Sequence, residues 1–155
     1  MRWKLPPKIK IYEALGCLAD GRLIMVKGEQ RVYSSSRNKY YTVVFNKEKN
    51  AIASNDNTSF WQGYLGYPAI AYLMSIGELP YDVTLSNTLR KIPWKDMNTR
   101  NSNDFSKTQQ EVDMLVAQRG VDPKELHRFV DTVFEALEEK RLTRLGKKQS
   151  PPQGY

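Results

Sequence analysis

The chain has 155 residues, a net charge of +7 from 24 Lys or Arg against 17 Asp or Glu, and a mean hydropathy of −0.62. That length can bury a core without a metal or disulfide staple, and a single cysteine, Cys17, rules out an intramolecular disulfide. No charged leader precedes an apolar run and no apolar stretch approaches the roughly 20 residues that span a bilayer, so the expectation is a soluble protein of the reducing cytoplasm with no membrane partner.

In chain order, Pro6 and Pro7 disfavour helix before them and favour a first turn after them, which predicts a helix from Pro7 to Leu18. Its apolar residues Ile9, Ile11 or Tyr12, Leu15 and Leu18 fall near one face, Cys17 is expected there as a buried, inert thiol, and Asp20-Gly21 supplies the stop. Strands are predicted at Leu23 to Lys27, Arg31 to Ser35, Tyr40 to Phe45 and Ala51 to Ser54, joined by polar turns. Ser54 to Ser59 is polar throughout and reads as a loop, anchored by Phe60, Trp61, Tyr64 and Tyr67. Pro68 opens a covering helix through Ile70, Leu73 and Met74, and Asp82 caps another through Leu85 and Leu89.

The Asn-rich segment 94–103 reads as a connection. Ser106 with Gln109 then reads as a capping box, and Asp122-Pro123-Lys124-Glu125 as a stronger helix start. The second of these helices carries the stripe Leu126, Phe129 or Val130, Val133, Leu137 and Leu142. The predicted fold is α+β: an antiparallel three- or four-stranded meander with N-terminal and covering helices (1–93), the connection, a C-terminal helical hairpin (104–148) and a disordered tail (149–155).

Charge is unevenly placed. Residues 1–47 hold ten Lys or Arg against Glu13, Asp20 and Glu29, whereas the remainder balances fourteen against fourteen. This asymmetry predicts a one-sided positive field that attracts DNA or RNA phosphates. The candidate phosphate contacts are Lys8, Lys10, Arg22, Arg31, Arg37 and Lys39, with Trp3, Tyr33 and Tyr40 as candidate stacking rings. A second cluster, Lys140, Arg141, Arg144, Lys147 and Lys148, follows Glu138 and Glu139 and suits a helix C-terminus.

Between Val32 and Met74 stand Ser34-Ser35-Ser36, then Tyr41-Thr42-Val43, Asp56, and Ala69-Ile70-Ala71-Tyr72-Leu73. This segment, roughly a quarter of the chain, resembles the SWIM zinc-finger family, in which two strands with a Ser-rich turn lead to a Cys-x-Cys pair and a later Cys-x-His pair opens a helix. The ligand pairs would fall on Ile52 and Ser54, or Ala51 and Ala53, and on Gly66 and Pro68, none of which binds zinc. Cys17 and His127 lie outside the segment. The resemblance implies a metal-free relative in which Phe60, Trp61, Tyr64 and Tyr67 replace the clamp by packing, and a role in DNA binding or protein interaction. The whole chain is also similar to small uncharacterised archaeal proteins.

Catalytic signals are absent: there is no phosphate-cradling Gly-rich loop followed by lysine, no paired-histidine zinc motif and no dinucleotide fingerprint. His127 is expected exposed on a helix flank. The first functional expectation is therefore a non-enzymatic, cofactor-free nucleic-acid-binding or nucleoprotein-associated factor. An adaptor or complex subunit that uses aromatic and C-terminal helix surfaces is the alternative. A third reading makes Ser54, Asn55, Asp56 and Asn57, with Trp61, a ligand loop, although Asx turns explain that stretch as well.

Overall fold

A computed structural model describes residues 1–153, and its architecture is α+β. Helix α1 (Ile9–Ala19) leads into strands β1 (Leu23–Val26), β2 (Glu29–Tyr33), β3 (Tyr40–Asn46) and β4 (Ala51–Ser54), an antiparallel meander with sheet order β1-β2-β3-β4. The β1–β2 hairpin closes on Lys27 and Gly28, both at positive φ, the backbone pairing that matches the twist of a two-residue turn. Helices α2 (Asn57–Gln62), α3 (Tyr67–Ser75), α4 (Val83–Asn87), α5 (Trp94–Arg100), α6 (Phe105–Gln118) and α7 (Pro123–Lys140) follow. The last strand, β5 (Thr143–Arg144), pairs parallel with β4.

Alternation along β3 buries Tyr41 and Val43 beneath α3 and leaves Val44 exposed. Strand β4 is buried along its whole length. Helix α1 packs against α3, α4 and α7, and is buried from Ile9 to Cys17. One apolar cluster includes Ile11 and Leu15 of α1, Ile70 and Leu73 of α3, Val112 and Val116 of α6, and Leu126, Val130, Val133 and Leu137 of α7. The α7 stripe therefore faces the core. Among the described residues no helix is long and apolar enough to cross a membrane.

Four helices begin on an aspartate whose side chain accepts a backbone N–H: Asp56, Asp82, Asp104 and Asp122. Asp82 and Asp122 fulfil their expected roles. At α6 the cap is Asp104 and not the Ser106 box, because Ser106 already lies inside the helix and its hydroxyl donates to Asp104. The predicted connection 94–103 is largely helix α5, whose Trp94 and Met97 are buried, so its polar residues form one face of an element that packs. The predicted loop 54–59 is shorter than expected, since Asp56 starts α2. Leu142 lies beyond α7, which ends at Arg141 in the left-handed region. The expected tail falls partly outside the described residues, at 154–155. From 149 to 153 it has no regular structure, yet Pro152 borders a hollow beside Tyr40 and Asn55.

A candidate ligand-binding cavity

Helix α1 is apolar nearly all round, so a charged residue within it has nowhere to go but the interior. Lys10 and Glu13, three residues apart, share one face of α1, and Lys10 Nζ stands 2.9 Å from Glu13 Oε2. Burial lowers the proton affinity of Lys10, but the charge of Glu13 and their contact outweigh it, so its pKa is raised. The Lys10 ammonium also lies 5.0 Å from the Phe105 ring. Asn98 of α5 donates to Glu13 Oε1 at 3.4 Å and accepts from Thr108 Oγ1 at 3.2 Å, tying the pair to α5 and α6.

Arg22 lies between α1 and β1, and its side chain turns toward the sheet. Its Nη1 donates to the Tyr33 carbonyl at 2.9 Å and to the Tyr67 hydroxyl at 3.4 Å, and the guanidinium stands 5.4 Å from the Tyr67 ring centre. Its Nε has no hydrogen-bond acceptor among the described residues, with Asp20 Oδ2 3.8 Å away. Burial holds the Tyr67 phenol well above its ordinary range, against the opposing pull of Arg22, so it faces the guanidinium as a neutral hydroxyl.

Asp56 is the most heavily bonded carboxylate of the site. Ser54 Oγ and Ser59 Oγ donate to Oδ1 at 2.5 and 2.6 Å, while Thr58 Oγ1 and the Ser59 N–H donate to Oδ2 at 2.8 and 3.2 Å. These donors use its lone pairs, so Asp56 organises the α2 turn and does not reach for a ligand.

Lys10, Glu13, Arg22, Asp56, Thr58, Tyr67 and Asn98 border one cavity of about 220 Å³, together with Ser34, Ser35, Tyr41, Asn57, Trp94, Lys95, Thr99 and Asn103. Lys10 is 7% exposed, Glu13 4%, Arg22 1% and Asp56 4%. A second hollow of about 530 Å³ shares Arg22 and Ser35 with the first and adds Asp20, Arg37, Arg90 and Lys91. Along the two hollows Lys10, Arg22, Arg37, Arg90, Lys91 and Lys95 outnumber Glu13, Asp20 and Asp56.

The structure redistributes the sequence-predicted site residues. Lys10 and Arg22 do not stand on an outward face: the α1 packing and the Tyr67 contact draw both inside. Lys8 is ion-paired with Asp131 of α7 at 2.9 Å, and Arg31 with Glu29 at 3.3 Å while stacking 4.3 Å from the Tyr40 ring. Arg37 donates to the Asp20 carbonyl, and Lys39 Nζ stands 5.4 Å from the Tyr41 ring. Trp3 is buried, its indole N–H donating to the Ile52 carbonyl, so it offers no stacking face. Tyr33 and Tyr40 are half-buried partners 5.6 Å apart.

Of the candidate ligand loop, Asp56 and Asn57 border the cavity, Ser54 serves Asp56, and Asn55 accepts from the Thr42 N–H. Trp61 points elsewhere and is 70% exposed, so it does not replace a metal clamp by packing. Ile52 is core, Ser54 and Gly66 adjoin Asp56, and Pro68 is buried in α3, so a carboxylate hub occupies the neighbourhood where the resemblance would put zinc. No group of three or more His, Cys, Asp or Glu that could hold a metal occurs among the described residues. Cys17 is buried, and burial pushes its thiol up to about 12. His127 is partly exposed, with Nε2 2.9 Å from Asp113 Oδ1.

No curated protein and no solved structure matches the chain. One family model, described as Uncharacterised conserved protein UCP014422, matches residues 3–143.

Proposed function

We propose a ligand-binding function for this chain, which belongs to the family described as Uncharacterised conserved protein UCP014422: it holds a small polar molecule bearing a phosphate or carboxylate group in the cavity between α1, α5 and the sheet. The observation that carries this reading is Arg22, a permanently charged guanidinium only 1% exposed, with its Nε lacking an acceptor, at the junction of two hollows. Burying a charge without a full partner is costly, and such costs concentrate at functional sites. Lys10 is neutralised by Glu13, and Asp56 is saturated by its donors, so the surplus cation field around Arg22 selects an anion. Tyr41, Tyr67 and Trp94 offer ring surface to the ligand body, and Asn57, Asn98 and Asn103 offer amides.

Thermal melts with inorganic phosphate, a nucleoside monophosphate and a dicarboxylate test this. At about 100 times Kd a ligand specific for the folded state adds roughly 2.7 kcal/mol, and a domain of this size then melts about 5 to 10 °C higher. Arg22→Met is expected to abolish that rise and Lys95→Met to reduce it, while Lys124→Met on α7 leaves it intact. Failure of all three probes to raise the melting temperature would remove the reading.

A further inference from the structure

Residues 2–4 are held between the strand that follows α7 and the segment that follows α2. Arg2 bridges Thr143 and Lys4 bridges Tyr64, while the Arg144 N–H donates to the Met1 carbonyl. Trp3 points inward between them, so Arg2 and Lys4 are both exposed. This pairing sets the beginning of the chain beside Arg144, Lys147 and Lys148, which border a small hollow with Phe60. Lys148 Nζ stands 4.9 Å from the Phe60 ring centre, and the Trp61 ring meets Phe60 edge to face at 4.6 Å. Lys4 runs alongside Gly63, two residues beyond Trp61. Cations from both termini therefore flank an aromatic pair whose outer ring is 70% exposed.

We propose that this face binds single-stranded nucleic acid, with Arg2, Lys4, Arg144, Lys147 and Lys148 on phosphates and Trp61 stacked on an unpaired base. None of the five cations is ion-paired with a carboxylate among the described residues, in contrast to Lys8, Lys10 and Arg31. Glu138 borders the neighbouring hollow beside Arg2 and Lys4 and limits the field on that side. An extended strand suits the arrangement because a large exposed ring has no use on a duplex exterior, whereas every unpaired base presents a face to it. Lysine at 4.9 Å over Phe60 also orients the aromatic pair while leaving Trp61 open. This face shares no lining residue with the cavity beside Arg22.

The test is fluorescence anisotropy of labelled oligothymidylate and an equivalent duplex on the full chain, with anionic phospholipid vesicles as a third probe. Five phosphate contacts predict that single-strand affinity falls about a hundredfold between roughly 50 and 200 mM salt. Trp61→Ala is expected to weaken it at least about fivefold with little change in that salt slope. Lys147→Glu with Lys148→Glu, both in an exposed loop, should weaken it at least about tenfold and flatten the slope, whereas Lys124→Glu with Arg128→Glu on α7 should not. Circular dichroism melts identify any variant that has lost its fold, and Arg2→Glu with Lys4→Glu serves as the second charge variant. Absence of oligonucleotide binding at low salt, equal affinity for the duplex with no effect of Trp61→Ala, or binding to vesicles alone would overturn the proposal.

Discussion

Gly66 has no room for a side chain: a Cβ there would stand 2.0 Å from Asp56 Oδ2 and 2.5 Å from Thr58 Oγ1. Its N–H donates to Ser59 Oγ, which in turn donates to Asp56, so the glycine is part of the hub and its φ is ordinary. Gly66→Ala is expected to cost about 2 to 4 kcal/mol, from overpacking and from buried polar groups losing partners. Urea unfolding measures it, and a loss below about 0.5 kcal/mol would show that the hub yields freely. The aspartate itself was legible as a turn former. Its four donors were not, because Ser54, Thr58, Ser59 and Asp56 converge only through the end of β4 and the first turn of α2. At Arg22 the sequence shows a cation after a helix stop, and its direction depends on where Tyr33 and Tyr67 stand.

Between elements, Glu78 links three parts of the molecule that are distant in sequence. Its carboxylate receives Lys140 Nζ from the end of α7 at 2.9 Å and Lys47 Nζ from the β3–β4 turn at 3.0 Å. The hydrogen bond from Lys140, then that from Lys47, holds its pKa below the ordinary 4.5, against a small opposing effect of burial. A carboxyl whose folded-state pKa is depressed contributes stability above the unfolded value, and that contribution disappears as pH falls through the folded value. Glu78→Gln is therefore expected to be less stable than the parent near pH 7, with the gap closing as the pH is lowered from about 4.5 toward 3. Urea midpoints at the two ends of that window decide it. A gap that stays constant would assign the effect to packing. The element pattern also held the one signal that could have revealed the cavity: apolar residues surround Lys10 and Glu13 on α1, which marks a buried helix whose charges must pair. Ten cations counted over residues 1–47 suggested an outer face instead, since a count carries no direction.

At the scale of the whole molecule, the first residues of the chain meet the segment that follows α7. The Trp3 N–H donates to the Leu142 carbonyl and the Thr143 N–H to the Asn50 carbonyl, so β5 covers what would be the free edge of β4. Leu142 is 3% exposed although it lies outside α7. Leu142→Ala is expected to destabilise the fold by about 2 to 5 kcal/mol, as for a core leucine within an element. A loss under about 1 kcal/mol in urea unfolding would show that the closure is peripheral. The sequence by itself determined the α+β class, an antiparallel meander of three or four strands, the Asp82 and Asp122 caps and the buried thiol, because alternation, capping and turn chemistry act over a few neighbouring residues. Only the tertiary structure decided that Lys10 and Arg22 turn inward while Arg2, Lys4 and Arg144 gather outside. Those placements follow from contacts between residues as far apart as 3 and 142, and no local period or spacing encodes them.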